Sequence, residues 1–73
     1  MEIYSIISRP ANKFSKFKVG DYICANPNIY NGNGVIEAVY YARSNFSSHE
    51  GFLYYVRTNG AIEDIWEVYL RKI

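Results

Sequence analysis

Residues 52–66 read FLYYVRTNGAIEDIW. Two apolar-rich runs flank Asn59-Gly60, a dipeptide that suits the two central positions of a type I′ turn because both need positive φ. A two-residue turn fixes the pairing of the strands it joins. Thr58 then opposes Ala61, Val56 opposes Glu63, and Tyr54 opposes Ile65. Phe52, Tyr54, Val56, Ala61 and Ile65 share one face, which we expect to point inward. Leu53, Tyr55, Ile62 and Trp66 share the other, with Arg57 and Asp64 as a diagonal charge pair. A Trp, a Tyr and two aliphatics on an outward face call for a cover. Two covers are open: a partner protein, or the chain's own N-terminal strand or C-terminal tail.

The rest of the chain extends this β reading. Residues 1–8 carry Ile3, Tyr4, Ile6 and Ile7, which favour a strand. Pro10 breaks it. Residues 17–25 (FKVGDYICA) form the next strand, with a bulge or a turn at Gly20-Asp21. Residues 26–34 (NPNIYNGNG) are a loop by composition. Residues 35–42 are a strand, 43–51 a polar loop, and 52–58 and 61–66 the two arms of the hairpin. A turn near Glu67 and a short last strand, 70–73, follow. Ile62, Ile65, Trp66, Tyr69, Leu70 and Ile73 also fit a helical spacing. The hairpin signal and the shortage of strong helix formers in IWEVYL outweigh that pattern.

Composition sets the bounds. The 73 residues are 49% apolar and 21% charged, with net charge +1. That is one small globular domain without a global field to draw nucleic acid or membrane. A domain of this size buries only about 60% of its unfolded surface. Thirteen aromatics, eight of them Tyr, supply large buried surfaces instead of disulfides. Cys24, the single cysteine, is expected to be a small buried thiol and fits a reducing compartment. No basic leader or long apolar run points to secretion or a membrane span, so a cytoplasmic protein is expected. The abundance of Asn, Ile, Tyr and Lys is compatible with an AT-rich bacterial or phage genome.

The segments FKVGDYI, NGNGVIEAV, YYV and IWEVYLRKI together resemble an SH3-like barrel, the group that includes KOW and Tudor modules. More narrowly, they are similar to the RNA-polymerase-interacting domain of CarD-type transcription regulators, over residues 14–73. The resemblance implies an all-β SH3-like barrel of about five short antiparallel strands, preceded by an N-terminal strand or arm over residues 1–13. It also implies a protein-binding barrel that docks through an edge strand. The chain departs from the family in lacking the further helical DNA-binding domain. The region after Gly34 is also less basic than a KOW element.

No constellation points to catalysis, and no cofactor or metal is expected. His49 is the only histidine. It stands in a polar loop without the companions a metal or an acid–base role needs. Glu63, Asp64 and Glu67 cluster, but a small barrel has no deep cleft to tune them. Tyr22, Tyr30, Tyr40, Tyr41, Tyr54 and Trp66 are conceivable walls of an aromatic cage.

Two functions remain. The first is a non-enzymatic adaptor or inhibitor, phage-encoded in its fullest form. It docks on a large host machine such as RNA polymerase or a nuclease, through Tyr30, Tyr40, Leu53, Tyr55, Arg57 and Trp66. The alternative is nucleic-acid binding through Arg9, Lys13, Lys16 and Lys18, four positive charges in ten residues interleaved with Phe14 and Phe17. Self-association through unpaired edges is a third class of behaviour.

Overall fold

The computed structural model describes residues 3–8, 15–25, 32–58 and 60–72. The chain is all-β. Six strands run in the order β1 (Tyr4–Ser8), β2 (Tyr22–Ala25), β3 (Asn33–Ser44), β4 (Glu50–Thr58), β5 (Ala61–Trp66) and β6 (Leu70–Lys72), with a 3-10 turn at Glu67–Tyr69. They form one antiparallel sheet ordered β5-β4-β3-β2-β6, and β1 also pairs with β3. The last strand therefore returns to the first strand of the meander. No helix forms over 62–72, so the period-3.6 spacing there belongs to a strand, a turn and a strand. A hairpin and a 3-10 turn place Ile65 and Leu70 inside without a helix.

The β4–β5 register follows the Asn-Gly turn. Thr58 pairs with Ala61, Val56 with Glu63 and Tyr54 with Ile65. Asn59 itself lies outside the described residues, and Gly60 has φ +82°. On the inner face Tyr54, Val56 and Ile65 are buried, together with Phe17, Ile23, Ile36, Val39 and Leu70. Phe52 packs against this cluster, while Ala61, near the hairpin tip, is exposed. Side chains from both ends of the sheet, Ile65 on β5 and Leu70 on β6, meet in one core. The sheet must therefore coil around it.

Gly34 permits that coil. A Cβ here would sit 2.6 Å from Thr58 Cγ2 and 2.7 Å from Val56 Cγ1, and would strike the Arg57 carbonyl oxygen. Only a residue without a side chain lets β3 cross β4 so closely. The Gly20-Asp21 interruption is a turn rather than a bulge. The Asp21 amide donates to the Lys18 carbonyl at 2.9 Å, the Lys18 amide donates to Asp21 Oδ2, and Gly20 takes φ +93°. Cys24 is half-buried rather than fully buried, because Ile23 takes the inward position beside it.

β3 is longer than expected, at 12 residues. That length lets its second edge serve two strands: β2 pairs along Asn33, Gly34 and Val35, and β1 along the stretch from Tyr41 to Ser44.

Candidate functional site

The outward face of the β4–β5 hairpin is covered at its Leu53–Trp66 end by the chain itself, while Ile62 near the tip stays 54% exposed. Leu53 is only 1% exposed and Ala42, diagonally across from it on β3, is fully buried. Tyr4 on β1 lies over this face. Its ring meets Trp66 edge-on at 6.3 Å, and its hydroxyl shares a 3.3 Å hydrogen bond with that of Tyr55. Tyr40 packs against Tyr55 at 4.8 Å. Burial, followed by hydrogen bonds to Tyr55 and Asp64, holds the Tyr4 phenol proton far above its ordinary range.

Of the expected docking residues, this arrangement seals Leu53. Leu53 cannot touch a partner, and Tyr40, Tyr55 and Trp66 are half-buried among themselves. Arg57 is exposed, but its Nε donates to Glu37 Oε1 on β3 and not to Asp64. The register shift between Ile36 and Ala38 places Glu37 beside it. Tyr30 lies outside the described residues.

The basic segment changes too. Arg9, Lys13 and Phe14 lie outside the described residues. Phe17, expected to stack on bases, is 1% exposed and forms part of the core. Lys18 Nζ donates to the Ser15 carbonyl, and Lys16 Nζ stands 5.5 Å from the Phe17 ring. Among the described residues the aromatic cage does not assemble either. Tyr54 is inside the core, Tyr22 stands exposed on β2, and Tyr40 and Tyr41 point to opposite faces of β3.

A different surface is concave. The turn between β3 and β4 faces the Glu67–Tyr69 turn, and two adjoining cavities lie between them. The larger, about 560 Å³, is lined by Lys16, Tyr41, His49, Glu50, Gly51, Phe52, Glu67, Val68 and Leu70. The smaller, about 210 Å³, is lined by Ser44, Ser47, His49, Trp66, Val68 and Tyr69. His49 and Val68 belong to both. The His49 ring meets Trp66 edge-on at 4.6 Å, so this exposed loop residue joins the aromatic wall. Tyr41 packs edge-on against Phe52 at 5.5 Å and donates its hydroxyl proton to Glu50 Oε2 at 3.0 Å. That bond raises the Tyr41 pKa above its ordinary value. Val68 and Tyr69 stand on the rim, 71% and 41% exposed.

The back of this groove is tied together by hydrogen bonds. Glu67 Oε2 accepts from the Tyr54 hydroxyl at 2.5 Å and from the Lys16 amide at 3.2 Å. The Tyr54 hydroxyl in turn accepts from the Phe17 amide at 3.2 Å. Burial first, and then the bond to Glu67, keeps the Tyr54 phenol protonated well past its usual range. One carboxylate thus joins residues 15–17, β4 and the 3-10 turn. Composition alone reads Glu67 as one more solvated acid. Its position at the start of the turn, 13 residues after an inward Tyr54, was the available clue.

Among the described residues no three His, Cys, Asp or Glu side chains are grouped to hold a metal ion. No described helix is long and apolar enough to cross a membrane. No protein-family model, curated protein or solved structure matches this chain.

Proposed function

We propose that the chain is an SH3-like barrel acting as a non-enzymatic protein-binding module. Its docking site is the groove between the β3–β4 turn and Glu67–Tyr69. The carrying observation is that Val68 and Tyr69 stand exposed on a turn pinned from behind by the Glu67–Tyr54 bond. Apolar side chains held out on a rigid support lose little entropy when they meet a partner. Two adjoining cavities of unequal size suit successive side chains of one extended segment better than a single compact ligand. Lys16, Glu50 and Glu67 give the lining mixed charge, so apolar and aromatic contacts dominate.

The tight hairpin, the terminal turn and the final strand returning to β2 support the SH3-like reading. The resemblance to CarD-type domains supplies the partner class: RNA polymerase, or another nucleic-acid-processing machine, met in the cytoplasm. Purified bacterial RNA polymerase on a sensor surface tests this. Val68→Glu and Tyr69→Ala should each weaken binding tenfold or more with an unchanged melting temperature. Loss caused instead by Tyr55→Ala and Arg57→Glu returns the site to the hairpin's outer face. Wild-type protein that fails to bind removes the polymerase from the reading.

A further inference from the structure

We infer that β1 offers its open edge to the same strand of a second copy, joining two molecules through an antiparallel β1–β1 ladder. Among the described residues β1 pairs with β3 alone, so its other edge has no strand on it. Among the described residues the sheet has three such edges: β1, β5 and β6. They differ in charge. β5 carries Glu63 and Asp64, and β6 carries Arg71 and Lys72. β1, YSIIS, carries no charge. In a two-fold pair each strand meets its own copy, so an acidic or a basic edge repels itself and a neutral one does not. Charge of one sign is a common guard on an exposed edge, and β1 lacks it.

The side chains agree. The register shift between Ile6 and Ser8 breaks the in–out alternation, so neighbouring Ile6 and Ile7 are 44% and 48% exposed. Exposed Ile3 extends this apolar strip, and its carbonyl accepts from the Asn45 amide, next to exposed Phe46. Tyr4, which turns toward Trp66, anchors the strand and leaves the edge presented. A five-residue ladder spans only about 17 Å. Its area falls below that of a permanent interface, so the dimer is weak and set by concentration.

Sedimentation equilibrium of the full chain from about 10 μM to about 1 mM, the range of weak contacts, tests the inference. The expected result is a rise from monomer to twice the monomer mass and no further. Ile6→Lys and Ile7→Lys should each hold the protein monomeric at the same melting temperature. Mixing Ile7→Lys with Ile7→Glu should restore the dimer by pairing opposite charges. A wild-type monomer across the whole range overturns the inference. So does a dimer that survives both lysine variants. Open-ended growth in mass overturns it as well, since acidic β5 meeting basic β6 head to tail would not close.

Discussion

The two faces of β4 are buried by different means. Toward the core, Tyr54 and Val56 meet Ile36, Val39 and Ile65, all supplied by neighbouring strands of the same meander. Toward the outside, Leu53 is buried and Tyr55 bonds to Tyr4, a residue 51 positions away, on a strand that among the described residues pairs only with the far end of β3. The inner face is closed by alternation along the strands. The outer face is covered in part by an arm, through one ring contact and one hydroxyl pair. An apolar exterior wall on a small sheet is thus no reliable sign of a partner when a spare strand is available to cover it.

The sharpest challenge to this contrast is Leu53→Ala beside Val56→Ala. Both residues are buried. If the outer face is a second core, Leu53→Ala costs about 3 kcal/mol, in the range of interior Leu truncations, and matches or exceeds Val56→Ala. An open wall would show a change within about 0.5 kcal/mol. Chemical denaturation distinguishes the two.

Next in size is Tyr54→Phe, which should cost roughly 1–3 kcal/mol because the Phe17 amide and Glu67 each lose a partner. It also carries a pH signature. Tyr54 has a folded pKa raised above the unfolded value of about 10. Its contribution is whole below about pH 10 and fades as pH climbs from there toward the folded value. Stability of the wild type should fall through that alkaline range, and Tyr54→Phe should flatten the fall. Tyr4 shifts the same way and keeps part of the slope.

The smallest effect sharpens the outer face alone. Tyr4→Ala removes one edge-on ring contact and one hydroxyl pair, together about 1 kcal/mol. Trp66 is the only tryptophan, so its emission reports the loss directly by shifting to longer wavelength. An unmoved spectrum would mean that β1 does not shield Trp66.

Much of the fold was legible because short-range chemistry decided it. Asn59-Gly60 set the β4–β5 register, and the pairs from Leu53–Trp66 to Thr58–Ala61 follow from it. Glu67–Tyr69 turns where strong helix formers are lacking. The candidate site was less legible. Its walls come from the β3–β4 turn and the 3-10 turn, which meet only once the sheet has coiled over Gly34. Whether Tyr55 and Trp66 face a partner or Tyr4 depends on where β1 docks, and β-strand propensity in residues 1–8 carries no address. The Arg57 partner turned on a one-residue bulge at Glu37, which alternation cannot show.

The carboxylate of Glu67 has a kinetic consequence. Its bond to the Lys16 amide spans 51 positions in the chain, while β3–β4 and β4–β5 are joined by short reversals. Closing so long a loop is entropically slow, so the hairpins should assemble first and this latch should fasten last. Weakening it would then hasten the departure from the native state while leaving the rate of return almost untouched. The lifetime of the molecule, more than its speed of assembly, rests on one acidic side chain.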